Sequence, residues 1–207
     1  MQGVLDNWDG LLRATGGALE KSKSYWYLLD YERRNGKWCY KSLQSIPGDI
    51  SLHNDETQQK EPIERLAVHT GKKALGIFTR PDGKMKEEIQ YLRGKTEDWA
   101  TRIRTRHIRT EDAWYCLTAS IMKTVEYPLV TSSFTKKECS YIMAPILEAG
   151  LPAIHTQRRL PRVLVHGPKR FQGYAIPDIW ANQIIDHLHV VGMHCISSRS
   201  STGLPRE

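Results

Sequence analysis

The 207-residue sequence is poor in cysteine, and none of its four cysteines stands in a CxxC pair. Cys39, Cys116, Cys139 and Cys195 are scattered, which fits a reduced, intracellular chain and argues against a disulfide framework. Long apolar runs are missing too: the longest, YIMAPIL at Tyr141–Leu147, falls far short of the roughly 18 residues that span a bilayer. The opening MQGVLDNWDG has neither a basic leader nor an apolar stretch of the signal-peptide kind. The sequence therefore predicts no membrane partner. Catalytic signatures are equally sparse. There is no GxSxG, HExxH or DxD and no adjacent Asp-Asp pair, so neither a serine-hydrolase elbow nor a compact two-metal carboxylate centre can be nominated. No internal repeat is evident.

What the chain does have is positive charge. Thirty Lys and Arg against 23 Asp and Glu leave a net charge of +7 in a chain that is 40% hydrophobic, the balance of a folded domain that favours a polyanionic partner. Simple solubility is the competing explanation of the same charge.

Hydrophobic periodicity divides the chain near residue 82. Val4, Leu5, Trp8, Leu11 and Leu12 recur at helical spacing, and Gly16-Gly17 follow as a stop. SYWYLLDYERRNGKWCYKSL then predicts a hairpin over residues 24–43, because Asn35-Gly36 supplies the two positive-φ positions of a tight turn. Two or three short strands are expected between there and the Pro81-Asp82-Gly83 turn, the last being Ala74–Thr79. Beyond it the period changes: Met85, Ile89, Leu92, Thr96, Trp99 and Ile103 form one stripe of a long helix. Three more helices are expected. Thr110 caps the first, whose inner face is Trp114, Leu117, Ile121 and Val125 and which ends at Pro128. Thr135 with Glu138 forms a capping box for the second, which Pro145 must kink or shorten and which Gly150 and Pro152 close. Asp178 caps the last, with Trp180, Ile184, Leu188 and Val191 inward. The result is an α+β chain: a small antiparallel strand-rich part over residues 1–82, a helical bundle over 83–194, and a disordered tail over 195–207.

Three stretches bear on chemistry. TGGALEKSK has the glycines and lysine of a phosphate loop, but they leave a helix and enter a strand, the reverse of a nucleotide-binding loop, so a helix cap explains them better. DHLHVVGMHC holds His187, His189, His194 and Cys195, yet His187 and His189 are two apart and point away from each other on a helix, so no metal site is assigned. The third feature is a pair of acid-free basic windows. RIRTRHIR gathers Arg102, Arg104, Arg106 and Arg109, and between Glu148 and Asp178 there is no carboxylate while Arg158, Arg159, Arg162, Lys169 and Arg170 appear. Phosphate-tracking surfaces have this composition, because a nearby carboxylate opposes the gain from counterion release; solvated helix ends have it too.

Taken in order, the segments resemble a known family. LLRATGGALEKSKSYWYL looks like the part of retrotransposon reverse transcriptases just after their catalytic Asp-Asp motif, where a palm helix ends at glycines and leads through a lysine into an aromatic strand. KKALGIFTRPDG, with Leu75 and Gly76, resembles the Leu-Gly strand near the primer-gripping hairpin. EYPLVTSSFTKKECSYIMAPILEAGLP and LPRVLVHGPKRFQGYAIPDI are similar to the thumb and the region after it. The resemblance covers most of residues 5–190. It implies an incomplete palm followed by a thumb-like bundle, with Lys23, or its rival Lys21, matching the lysine that protonates departing pyrophosphate. It also implies RNA, DNA or an RNA:DNA hybrid as partner, the four arginines of the first window as phosphate contacts, and Mg2+ as the cofactor of a complete polymerase. The carboxylates that would hold Mg2+ belong before Met1, so this chain is expected to need no cofactor of its own and not to polymerise alone. The hairpin would then have lost sheet neighbours and present an open edge. The sequence departs from the family at Gln172-Gly173-Tyr174-Ala175, where a Gly-Gly-Leu-Gly run is usual, and a strained or altered turn is expected there.

Overall fold

A computed structural model describes residues 1–54 and 59–201 of the chain. Its residues fall into two compact units, Met1–Ala74 with Thr79–Lys84, and Leu75–Phe78 with Met85–Glu207. The division lies two residues beyond the expected boundary, and Leu75–Phe78 goes with the helical unit for a visible reason. The Phe78 N–H donates to the buried Glu88 carboxylate at 2.8 Å, and the Tyr127 hydroxyl donates to Leu75 O at 2.8 Å.

The first unit opens with helix α1, Gln2–Ala14. It stops as its glycines predict. Gly16, at φ +82°, donates to Arg13 O and Gly17 donates to Leu12 O, which satisfies two end carbonyls at once. Strands β1 (Tyr25–Tyr27), β2 (Tyr31–Arg34), β3 (Lys37–Tyr40), β4 (Ser51–Asn54), β5 (Gln59–Pro62), β6 (Glu64–Leu66) and β7 (Lys72–Ala74) follow, and β8 (Ile77–Thr79) comes next along the chain, its first two residues in the second unit. The β2–β3 hairpin forms around Asn35 and Gly36, at φ 49° and 77°, and β4 and β5 pair antiparallel.

Two expectations need correction here. Tyr25–Tyr27 is no part of the hairpin but pairs parallel with β6, so this part is not purely antiparallel. The run Ala74–Thr79 is interrupted by Leu75 and Gly76, at φ 50° and 89°, which turn the chain between β7 and β8. The core is small: Ile50, Leu52 and Ile63, with Leu5, Leu19 and Trp26 against them.

The second unit is built on α2 (Lys86–Thr105), α3 (Thr110–Tyr115), α4 (Met122–Glu126), α5 (Lys136–Ala153), α6 (Arg162–His166) and α7 (Ile179–Ser201). Helices α2 and α5 pack along each other, with Leu92, Ile142, Ile146 and Leu151 fully buried. A π-helical stretch, Cys116–Ile121, links α3 to α4, and a 3-10 turn at Tyr127–Val130 begins where Pro128 was expected to end the helix. The α5 capping box is complete: Glu138 N–H donates to Thr135 Oγ1 at 3.3 Å, and Thr135 N–H donates to Glu138 Oε2 at 2.7 Å. The helix nevertheless continues through Pro145 and Pro152 to Ala153, beyond the expected stop. Thr110 does not cap; it is already helical, Arg109 holds the cap position, and the Asp112 carboxylate pairs with Arg109 instead.

Helix α7 begins as expected, with Asp178 Oδ1 accepting from Trp180 N–H at 3.0 Å, and Trp180 packs against the core, but the rest of its inner face is not the expected one. Ile184, Leu188 and Val191 are exposed, and the helix docks instead through Ile179, Gln183 and His187. The Gln183 amide grips one residue of the opposite wall, donating to Phe134 O at 3.0 Å and accepting from Phe134 N–H at 2.9 Å. Those hydrogen bonds satisfy a loop backbone that no helix or strand serves, which is why a polar side chain holds the buried position. Helix α1 uses the same device, its Gln2 amide bonded to both the N–H and the C=O of Ser51. Helix α7 also runs to Ser201, well into the segment read as a disordered tail; residues 202–207 lie outside the described ones.

Cysteine chemistry checks this burial. Burial of Cys139 in the helical core, with the Asp178 and Glu138 charges adding to it, pushes its thiol pKa up to about 11. Cys39 and Cys195 are exposed. With iodoacetamide at neutral pH, Cys39 and Cys195 should alkylate readily, whereas Cys139 should react only after unfolding, as read by peptide mass spectrometry.

Candidate nucleic-acid interface

The two basic windows look alike in sequence and differ in space. In the first, Arg102 pairs with Asp98 at 2.8 Å, one turn back on α2. Arg104 reaches Glu148 of α5 at 3.4 Å, and Arg109 reaches Asp112 at 3.0 Å. Only Arg106 stands without an ion pair among the described residues. The window is acid-free along the chain because its acids lie one helical turn away or on a neighbouring helix, where a linear reading does not count them.

In the second window Arg158, Arg159, Arg162, Lys169 and Arg170 are all exposed, and none has a carboxylate partner among the described residues. The two flanking acids are already engaged, Glu148 with Arg104 and Asp178 as the cap of α7. Five positive charges therefore face solvent on one stretch of chain.

That stretch is held firmly. Tyr174 N–H donates to Leu164 O at 2.9 Å, Ala175 N–H to Gly167 O at 2.9 Å and Ile176 N–H to Val165 O at 3.0 Å, folding residues 176 to 164 back on each other. Val165 and Ile176 are fully buried in the helical core and anchor the fold-back from beneath. Where it crosses itself the backbone is so tight that a Cβ on Gly173 would lie 2.1 Å from Gly167 O, and one on Gly167 2.4 Å from Val163 O. Gln172 and Ala175 sit at φ 63° and 51°, left-handed backbone held without glycine on either side of Gly173-Tyr174. Thr156 Oγ1 and Tyr174 Oη share a hydrogen bond of 2.7 Å that ties the near end.

No protein-family model, curated protein or solved structure matches this chain. Its functional reading rests on its own residues.

The fold-back displays aromatic rings beside its cations, a feature that charge counting alone did not single out. Lys169 Nζ stands 5.6 Å from the Trp114 ring centroid, and the Arg170 guanidinium 4.8 Å from that of Phe171. Trp114 leans on Tyr174 at 6.3 Å, while Phe171 is 68% exposed. The signal was present in sequence as a lone aromatic in a basic run, KRF, but its partner Trp114 lies more than fifty residues away in the chain.

The lysines of the first unit fall in a different setting. Lys21 is paired with Glu61 at 2.5 Å. Lys23 forms no ion pair among the described residues and lines a cavity of about 480 Å³ walled by Trp8, Trp26, Ile50 and Leu52. Its charge is a minor contributor, after hydrogen bonds from Ser22, to holding the Glu20 carboxyl below its ordinary pKa. Among the described residues no three His, Cys, Asp or Glu side chains are grouped to hold a metal ion. The residues around Lys23 do not fit a Mg2+ centre. His187 of the histidine-rich stretch is engaged with Leu129 O at 3.1 Å. Among the described residues no helix is long and apolar enough to cross a membrane.

Proposed function

We propose that this chain is a C-terminal part of a retrotransposon reverse-transcriptase-like protein that grips template-primer nucleic acid by its phosphates. The observation that carries the reading is that Arg158, Arg159, Arg162, Lys169 and Arg170 are exposed without a carboxylate partner among the described residues, the last two on a fold-back fixed to the helical core. Sequence resemblance over most of residues 5–190 supports the family, and the +7 charge supports a polyanion. The resemblance also supports the thumb-like role of the helical unit and RNA, DNA or an RNA:DNA hybrid as the partner. In this reading the chain contributes grip and Lys23, and the metal-holding carboxylates come from elsewhere in a complete polymerase. A basic nucleic-acid-binding protein acting without a polymerase partner and an inactive retroelement relic are the alternatives; restoration of primer extension by the palm supplied in trans distinguishes the first, and a broad, non-cooperative unfolding transition over residues 1–80 the second.

Binding of a fluorescently labelled RNA:DNA hybrid across a salt series tests the grip. Five phosphate contacts predict a slope of log K against log[salt] of about −4. Replacing Arg158, Arg159 and Arg162 together with alanine should make the slope shallower by roughly one unit per lost contact. Replacing Arg102, Arg104 and Arg109 should change it by less than about one unit, because their charges are already answered by carboxylates. Weak binding with a flat salt response would sink the proposal, since the net charge would then be surface charge only.

A further inference from the structure

A phosphate grip alone would need only cations, yet the fold-back places a ring beside each of its last two. We propose that Phe171 and Trp114 form a stacking platform for unpaired bases, so that this face takes a single-stranded stretch of nucleic acid. The inference rests on the proposed nucleic-acid function and narrows it to strand state.

The alternation is the first argument. A single strand presents phosphate and base in turn, and Lys169 with Trp114 and Arg170 with Phe171 present cation and ring in the same alternation. In a duplex the base faces are covered by their neighbours, so rings at the surface have nothing to stack on; unpaired bases leave those faces open.

Exposure is the second. Phe171 is a large ring left 68% exposed, and Val163 and Leu164 are exposed on the same segment, while Val165 and Ile176 turn into the core. Rigidity is the third. The hydrogen bonds to Leu164, Val165 and Gly167 and the glycine crossing fix the turn at Lys169–Phe171 before any ligand arrives. Less ordering entropy is then lost on binding, which favours a weakly structured strand as ligand. The charge environment is the fourth: no carboxylate pairs with the five cations among the described residues, so the phosphates between stacked bases meet no opposing charge.

The test compares a labelled twelve-nucleotide thymidine strand with an abasic strand of equal length and charge, by anisotropy at matched salt across a salt series. The intact strand should bind about tenfold tighter or more, because each base lost from an aromatic face is worth roughly that factor. Phe171→Ala should bring the intact strand close to the abasic one, and Phe171→Trp should restore the difference; the ring is exposed, so neither change threatens the fold. Trp114 fluorescence should be quenched by the intact strand and little changed by the abasic one. If both strands bind equally with a steep salt slope, the platform is wrong and the phosphate grip stands. If neither strand binds, the nucleic-acid function itself falls, and the platform with it.

Discussion

Replacing Gln183 with leucine should destabilise the helical unit by about 3 kcal/mol, although leucine has a similar volume and the site is buried. The amide now serves the N–H and the C=O of Phe134 together, at 2.9 and 3.0 Å, inside the protein. Leucine would leave both backbone groups dry and unpaired, and each orphaned group costs roughly 1–3 kcal/mol, more than the added apolar burial returns. Urea denaturation should show a lower midpoint with an unchanged slope. Gln183→Glu separates this account from simple packing. Its carboxylate can still accept from the Phe134 N–H but cannot donate to the Phe134 carbonyl, whereas the protonated acid can do both. The folded state should therefore raise the Glu pKa above its unfolded value. Stability lost at pH 7 should return as pH falls through that raised value towards about 4.3, where the unfolded chain also takes up its proton. The leucine variant should show no such recovery.

Gly173→Ala should be as damaging, by a different route. The added methyl would sit 2.1 Å from Gly167 O, a backbone atom tied to Ala175 N–H, so no side chain can swing aside to admit it. The crossing must open, at a cost of about 3 kcal/mol or more. Because the opened crossing no longer positions Lys169, Arg170 and Phe171, hybrid affinity should fall along with the melting temperature. Gly94→Ala on α2 is the control: nothing lies within 4 Å of the new methyl, and alanine suits a helix interior, so the protein should gain about 0.5–1 kcal/mol and bind as before.

Three helix boundaries were legible because their causes are local, whereas the Thr110 cap and the Gly150–Pro152 stop did not hold. Gly16-Gly17, the Thr135–Glu138 box and Asp178 act within four or five residues of chain, and a linear reading contains all that is needed to place them. Inner faces were less legible. The apolar stripe Trp180-Ile184-Leu188-Val191 has helical spacing, and apolar burial usually decides which face docks. Here the Phe134 backbone needed partners, and Gln183 with His187 took the inner position. That demand comes from a loop some fifty residues away, invisible in the helix itself. The strands failed for a related reason. Tyr25–Tyr27 reads as continuous with Tyr31–Arg34, but its partner is Glu64–Leu66, and nothing local distinguishes a parallel neighbour from a hairpin one.

The basic windows show the same division. Sequence located both and gave the first the leading role in phosphate contact, since neither contains an acid and nothing local separates them. Asp98 lies one turn behind Arg102, and Glu148 lies on another helix against Arg104. Charge compensation across a helix turn or between helices is a property of three-dimensional neighbours, and it separates a paired surface from one left open. The aromatic companion of Lys169 was hidden likewise, because Trp114 reads as one more inward residue of its helix.

The π-helical stretch at Cys116–Ile121 sets the phase between these two roles of one rod. Ala113, Leu117, Ile121 and Val125 are all buried at a strict four-residue beat. On an ideal α-helix that beat would wander about 120° around the axis over its three steps. The wider turn takes up the drift, so a single face stays inward through α3 and α4 while Trp114 is kept at the border with Lys169. Shortening that stretch by one residue would leave a shorter rod, but everything before the deletion would be rotated by about 100° against everything after it. Core and platform could no longer both be in place. The reading frame of this helix, counted in turns rather than codons, thus ties the interior of the protein to the half-buried ring beside Lys169.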